Sequence, residues 1–444
     1  MRKLVVKLCR CFAIVAAFGA NSASASEISA TTRQATVTTL ATALRDRYVF
    51  PDVGAKAAAE ITANLQAGRY DGYLSWAEFA ERLTGDLSNV THDKHLRVIA
   101  RERPEMGLRA PPHSEAGIVR ADILVGGTGY IEVASFPPLS QFKPVADRAI
   151  SALADSNALI IDVRRNTGGD PASVAYLVSF LLPSAQRIHI NDVVSRVPGT
   201  ADFTRQAFDS QATPISFAGR RIFVLTSKDT FSGGEEFAYD VANLKAAIVV
   251  GEVTRGGANP TGTVPIGEDV MALVPYGRAE NPITRTNWDG SGVRPQIAVA
   301  SSGALAVATK RLGRGAEPSV ERASTRQVFA PRSTAIAGSK DALMALIAGT
   351  AAGEPPYASM APHAVETTKR DLVGLQATLA QVGPIKGMTF REVDEFGGDL
   401  YDVAFQNGAM SAAVMIAADG RIEAWGLFRA PAENKPATMS PPTR

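Results

Sequence analysis

Apolar and polar positions change period several times along this 444-residue chain. Between about residues 30 and 100 the apolar positions recur at three- and four-residue steps, the spacing of helices with one buried face. The first pattern begins over residues 37–44 and stops near Pro51, whose ring cannot continue a helix. The second, residues 53–65, is alanine-rich, with Ala57, Ile61 and Leu65 on one face. The third opens on the capping box Ser75-Trp76-Ala77-Glu78 and turns Phe79, Leu83 and Leu87 inward. Thr91-His92-Asp93-Lys94-His95 comes next, and Leu96, Val98 and Ala100 then alternate like a strand. A loop rich in proline and charge spans residues 101–115.

The middle of the chain alternates short apolar runs (129–133, 158–163, 222–225, 247–250) with helical patterns (146–153, 171–182, 237–244). That order predicts βαβ units and a largely parallel, buried sheet. Two glycine turns fall at the C-terminal ends of predicted strands, Asn166-Thr167-Gly168-Gly169-Asp170 and Ser232-Gly233-Gly234-Glu235. Ligands bind at that edge of open α/β sheets. Residues 254–260 and 287–295 read as loops, a helix over 304–312 closes the domain, and the polar segment 313–338 reads as a linker. Beyond it, a helix over 368–382 precedes apolar runs at 388–390, 400–405, 412–416 and 422–427, with Asp419-Gly420 as a hairpin turn. One helix on an antiparallel sheet is an α+β module, expected to be NTF2- or cystatin-like.

Ser232 stands where a buried strand passes into a helix, close to free N–H groups and the positive end of the helix dipole. Such a place suits a nucleophile and an oxyanion. Ser232-Gly233-Gly234-Glu235 is equally a Ser-x-x-Glu capping box, which needs no chemistry.

Composition narrows the field. With 45% hydrophobic and 20% charged residues, the chain is an ordinary globular one. Arg2, Lys3, Lys7 and Arg10 precede an apolar run over 11–20 and the small-x-small site Ala23-Ser24-Ala25. This reads as a secretory signal peptide over 1–25, too short to span a membrane, and implies a secreted or periplasmic protein. Both cysteines, Cys9 and Cys11, lie within it, so the mature chain offers no disulfide and no thiol nucleophile. Loss of the leader's four basic residues takes the formal charge from +2 to −2, which points away from nucleic acid and anionic membranes as partners. No later run reaches membrane-spanning length. The mature chain lacks His-x-x-x-His, Walker and dinucleotide-glycine patterns, so neither a metal nor a cofactor is expected. Five histidines (His92, His95, His113, His189, His363) are the available neutral bases.

Four segments occurring in order resemble the S41 serine peptidases: Asp162-Val163-Arg164-Arg165-Asn166-Thr167-Gly168-Gly169, Thr226 through Tyr239, Gly251-Glu252-Val253-Thr254-Arg255-Gly256-Gly257 and Gly292-Val293-Arg294-Pro295. That family includes C-terminal-processing peptidases, tricorn protease and the repeats of interphotoreceptor retinoid-binding protein. The resemblance covers about residues 35–312. It implies an α/β fold: a small helical N-terminal domain (27–105) and a ClpP/crotonase-like spiral domain (116–312), here followed by the linker (313–338) and the α+β module (339–432). It implies Ser232 as the nucleophile of a peptidase working through an acyl-enzyme on peptide or protein substrates.

C-terminal-processing relatives use a lysine in a Thr-Phe-Gly-Lys-Gly segment. The matching position here is Gly257, and no stretch between 100 and 130 is long enough for their PDZ domain. The resemblance is therefore to the tricorn-like branch, in which a histidine acts on the serine. Lys94-His95 matches the Ser-His of that branch and Asp289 its distant glutamate, one methylene shorter. On that reading His95 is the base and Asp289 orients it or the deacylating water. The amides of Gly233 and of Gly168 or Gly169 form the oxyanion hole. A base with an ordinary histidine pKa implies activity falling below about pH 6.5. The retinoid-binding relatives support an alternative, a non-catalytic apolar-ligand carrier or scaffold on the same fold. Self-association is compatible with either reading.

Overall fold

The structure, a computed structural model, describes residues 28–73, 75–100, 114–267, 270–394, 397–417 and 419–429. The leader read over 1–25, His113 and most of the loop over 101–115 lie outside the described residues. Three helices come first: α1 (Ala30–Arg47), α2 (Pro51–Gln66) and α3 (Trp76–Thr91). Each starts where its sequence supplies a start. Ser29 caps α1 through the Thr32 amide (3.1 Å), Pro51 occupies the first turn of α2, and Ser75 exchanges hydrogen bonds with Glu78 at α3. α3 ends at His92, which takes the left-handed conformation (φ +54°). β1 (Arg97–Ala100) comes soon after.

The remaining elements are β2 (Ile118–Leu124), β3 (Thr128–Val133), α4 (Leu139–Ser151), β4 (Ala158–Asp162), α5 (Pro171–Ser179), β5 (His189–Arg196), β6 (Phe203–Asp209), β7 (Arg221–Thr226), α6 (Gly233–Asn243), β8 (Ile248–Gly251), β9 (Thr261–Pro265), β10 (Val270–Pro275), β11 (Gly277–Glu280), β12 (Ile297–Ala298), α7 (Ala304–Arg311), α8 (Val320–Ala323) and β13 (Ser324–Phe329). The last unit holds α9 (Ser339–Ala352), α10 (Pro362–Val382), β14 (Ile385–Val393), β15 (Asp399–Phe405), β16 (Gly408–Ile416) and β17 (Ile422–Arg429).

A seven-stranded sheet in the order β12-β8-β7-β4-β3-β2-β13 forms the centre. From β12 to β3 all neighbours are parallel, while β2 and β13 add antiparallel pairs at one edge. The sheet is therefore mixed, and the segment 313–338 is not simply a linker. β13 lies within it and pairs with β2. Its residues are largely exposed apart from Phe329, as befits an edge strand, so no apolar alternation marks it in the sequence. The parallel strands are buried on both faces. One face packs on α4, α5 and α6 and the other on α7, each buried Leu or Ile contributing about 1.5–3 kcal/mol.

Two further sheets position the site. The segment 184–219 supplies β5 and β6, which form a three-stranded antiparallel sheet with β11. The sheet β1-β10-β9 ties the helical unit to the α/β unit. Phe79, Leu83 and Leu87 share one core with Leu96, Val98, Val270, Ala272 and Val274. The chain just before β1, which carries His95, is thus held near β10 by register and by packing.

Among the described residues the C-terminal unit is a four-stranded antiparallel meander, β14-β15-β16-β17, with the two α-helices α9 and α10 rather than the single one expected. Leu343, Leu346 and Ile347 of α9 enter its core. Arg332 fastens this unit to the central one through Asp399 and the carbonyl of Gly397 (2.5 Å each), while its amide donates to Glu115 (3.0 Å).

Candidate active site

β7 delivers the chain to Ser232 through a turn stitched to the Gly168-Gly169 turn. Thr230 Oγ1 donates to the Val163 carbonyl (2.9 Å), Ser227 Oγ to that of Arg164 (2.5 Å) and the Phe231 amide to that of Asn166 (3.0 Å). Ser232, at the N-cap of α6, has φ +52° and ψ −120°. A side-chain-bearing residue held there carries about 1–3 kcal/mol of strain, and such positions concentrate at functional sites. Surrounding hydrogen bonds impose it. The Ser232 amide donates to the Glu235 carboxylate (2.9 Å), and the Glu235 and Glu236 amides donate to the Ser232 carbonyl (2.8 and 2.9 Å).

Glu235 does more than complete a capping box. Fully buried, it also accepts from Thr254 Oγ1 (2.5 Å) and from the amides of Gly256 (2.5 Å) and Gly257 (2.9 Å). Burial raises its pKa and these donors oppose the rise. One carboxylate therefore joins the Ser232 turn to the loop 254–257.

The two glycines facing Ser232 have different parts. Gly168 has φ +109°, and a Cβ there would lie 2.6 Å from Ser232 Cβ and 3.1 Å from its Oγ. Glycine is required for that approach. The Gly168 amide, however, donates to Asn166 Oδ1 (2.8 Å), so Gly168 is not an oxyanion donor. The amides of Gly169 and Gly233 make no hydrogen bond among the described residues, and an ideal Cβ on Gly233 would stand 3.0 Å from the Gly169 nitrogen. Two adjacent free donors beside Ser232 are what a developing oxyanion needs.

His95 shares with Ser232, Gly169, Asp170, Glu236 and Trp288 a cavity of about 460 Å³. Its ring is buried and stacks on Phe231 with centroids 4.4 Å apart. Neither ring nitrogen has a hydrogen-bond partner among the described residues, and none joins His95 to Ser232. Catalytic hydrogen bonds are often long before substrate arrives. Burial first, then Arg97 and Arg255, push the imidazole pKa down to about 4, against the opposing pull of Asp93. The imidazole is therefore neutral well below neutral pH.

Gly257 accounts for the absent lysine. A Cβ at 257 would stand 2.6 Å from His95 Cε1 and would collide with the Phe231 ring. The histidine occupies the space that a side chain from 257 would need. We expect Gly257→Ala to displace the imidazole and lower kcat/KM by about 10- to 100-fold while the protein stays folded. Steady-state kinetics beside a circular-dichroism melt checks this, and unchanged kinetics would refute the steric account.

The carboxylate nearest His95 is Asp93, not Asp289. Asp93 Oδ1 lies 4.0 Å from His95 Nδ1 and accepts the His95 amide (2.9 Å), while Oδ2 accepts from Tyr48 (3.1 Å) and Asn259 (2.9 Å). Among the described residues Asp289 makes no bond to His95. Its Oδ1 accepts the Ala258 amide (3.1 Å), its own amide donates to Asn287, and Trp288 Nε1 donates to the Gly257 carbonyl (2.7 Å). Burial and Asp93 raise the Asp289 pKa. Asp289 holds the backbone on which His95 rests. Sequence reasoning missed Asp93 although it stands two residues before His95, directly after the left-handed end of α3. Lys94 reaches the carbonyl of Arg255, a second tie between this segment and the loop. Among the described residues no cluster of three or more His, Cys, Asp or Glu is placed to hold a metal ion, and no helix is long and apolar enough to cross a membrane.

Comparison with known proteins gives two family matches. The model for peptidase family S41 matches residues 127–299, and that for the N-terminal domain of S41 peptidases in eukaryotic IRBP matches residues 23–122. Similar solved structures include the photosystem II D1 C-terminal processing protease (13% identity, covering 62% of this chain and 94% of that one, TM-score 0.42). A lipoprotein from Streptococcus agalactiae matches at 13% identity over 64% and 96% of the two chains (TM-score 0.44). Mature CPAF complexed with lactacystin matches at 13% over 46% and 56% (TM-score 0.34). The family assignment rests on the two family matches and not on these distant structural likenesses.

Proposed function

The chain belongs to peptidase family S41 and is a serine-type peptidase, and from that premise we propose that it cleaves peptide bonds through an acyl-enzyme on Ser232 with His95 as base. The observation carrying this reading is the strained Ser232 beside the free amides of Gly169 and Gly233, in one cavity with a neutral, unpartnered imidazole. His95 takes the Ser232 Oγ proton as Oγ attacks the peptide carbonyl carbon. The oxygen, now negative, accepts from Gly169 and Gly233. The C–N bond breaks as the imidazolium returns its proton to the leaving amine, and water repeats the sequence on the ester. Asp93 stabilises the imidazolium through charge and is a positioning residue.

Fluorophosphonate labelling tests this reading. Modification at Ser232, with hydrolysis of a peptide substrate, is expected. No label and no hydrolysis would overturn it and favour the apolar-ligand carrier. A leader ending at Ala25 would place the enzyme outside the cytoplasm, and N-terminal sequencing of protein expressed with the full leader checks for a start at Ser26.

The buried setting changes the expected pH profile. A base acts in its neutral form, so a lowered pKa extends activity toward acid. With a pKa of about 4, the imidazole at pH 5.5 is about 97% neutral, against roughly 10% for an ordinary histidine. The acid limb of kcat/KM for an uncharged peptide, which reports the free enzyme, is thus expected near pH 4. A limb centred near 6.5 would contradict the buried, cation-flanked base.

A further inference from the structure

α6 carries a second cavity-facing side chain one turn beyond the nucleophile. Glu236 lies four residues after Ser232, about 6 Å further along the helix axis, and both line the same cavity. It is only 5% exposed, yet it lines the Ser232 cavity. One carboxylate oxygen accepts from Asn191 Nδ2 of β5 (3.1 Å), and the other makes no hydrogen bond among the described residues.

No cation among the described residues offsets this carboxylate, and Glu236 makes no ion pair with any of them. Asp170, at the N-cap of α5, faces the same cavity with one oxygen accepting the Ala172 amide (2.8 Å). Asp240, the next turn of α6, is fully buried, with Oδ1 accepting from Asn281 (2.9 Å) and Oδ2 unpartnered. Burial, with Asp170, pushes the Glu236 pKa up to about 7. The cavity's two arginines, Arg97 and Arg255, influence His95 and pair with no carboxylate among the described residues.

The cavity that holds Glu236 also offers apolar surface. Val193 lies two residues beyond Asn191 on β5, hence on the same face, and Ala279 of β11 is its cross-strand partner; both line the cavity. A cavity that offers this apolar surface together with an unpaired carboxylate suits a long side chain with an aliphatic stem and a cationic head. The four-carbon stem of lysine matches the offset of about 6 Å between Ser232 and Glu236.

We propose that Glu236 sets the specificity of this site by receiving the cationic end of a lysine or arginine at P1, the residue whose carbonyl Ser232 attacks. The inference rests on the peptidase reading. The stem lies against Val193 and Ala279, and the head supplies the charge that Glu236 and Asp170 lack. Removing one partner of such a buried pair leaves the other uncompensated, so discrimination is expected to be large.

The test compares kcat/KM for two peptides that differ only at P1, lysine or its uncharged isostere norleucine. Wild type is expected to favour lysine by about tenfold or more, and Glu236→Gln, whose side-chain oxygen can still accept from Asn191, to reduce that ratio by about tenfold. Equal rates on the two peptides, or a ratio unmoved by Glu236→Gln, would overturn the proposal. Calorimetric binding to Ser232→Ala of peptides ending in lysine or norleucine reads the pocket without turnover and without altering Glu236. Tighter binding of the lysine peptide is expected, and equal binding would overturn the proposal. Lysine preference in binding with no hydrolysis by wild type would instead count against the peptidase reading alone.

Discussion

Replacing Ser232 with alanine is expected to lower kcat by roughly four to six orders of magnitude while leaving the fold intact. The large loss follows from the proposed role of Ser232 as nucleophile, beside the free Gly169 and Gly233 amides in the cavity. The small structural effect reflects which atoms hold the turn. The bonds to Glu235 and from the Glu235 and Glu236 amides use the Ser232 backbone, not its hydroxyl. Alanine keeps them and inherits the same strained φ. Ser232→Gly sharpens the test. Glycine adopts φ +52° freely, so this variant is expected to be equally inactive and about 1 kcal/mol more stable than Ser232→Ala. Substrate turnover and urea denaturation of the three proteins decide it. Activity within tenfold of wild type in either variant would remove Ser232 from the chemistry, and a less stable glycine variant would remove the strain argument.

Glu235→Ala is expected to destabilise the protein by about 3–5 kcal/mol and to abolish most activity. The carboxylate satisfies the buried amides of Ser232, Gly256 and Gly257 and the Thr254 hydroxyl. Each buried group left without a partner costs about 1–3 kcal/mol, and local relaxation recovers part of the sum. The activity loss has a separate origin. Glu235 joins the turn presenting Ser232 to the loop whose Gly257 lies under the His95 ring, so both halves of the site lose their common anchor. Glu235→Gln reproduces much of the effect, because an amide offers a donor where the carboxylate offered an acceptor. Chemical denaturation with kinetics on the residual folded fraction measures both effects. A stability loss below about 1 kcal/mol would show that the clamp is dispensable.

The strand-turn-helix around Ser232 is legible in the sequence because its signals are local. A four-residue apolar run, a Ser-x-x-Glu cap and a helical period succeed one another within about 20 residues. The three leading helices and the Gly168-Gly169 turn are legible for the same reason. Elements whose sequences lack a period are not. β13 is an exposed edge strand hidden among polar residues, and β5 and β6 lie in a segment with no distinct pattern. α9 is a different case. Leu343, Leu346 and Ile347 stand at helical spacing, a signal that could have revealed the helix within the C-terminal unit.

Residue order is enough to establish the family, the strand-to-helix place of Ser232 and the lack of a lysine at 257. Which groups stand beside which is settled by packing. Asp93 rather than Asp289 neighbours His95, Gly169 rather than Gly168 keeps a free amide, and Glu235 reaches across 21 and 22 residues to Gly256 and Gly257. Asp93 meets Asn259 across 166 residues of chain. The pairing of β1 with β10, and the core shared between the helical and α/β units, bring these segments together. The reason is physical: helical and strand periods arise from neighbours along the chain, whereas the burial that lowers the His95 pKa and leaves Glu236 without a counter-charge exists only once distant segments pack.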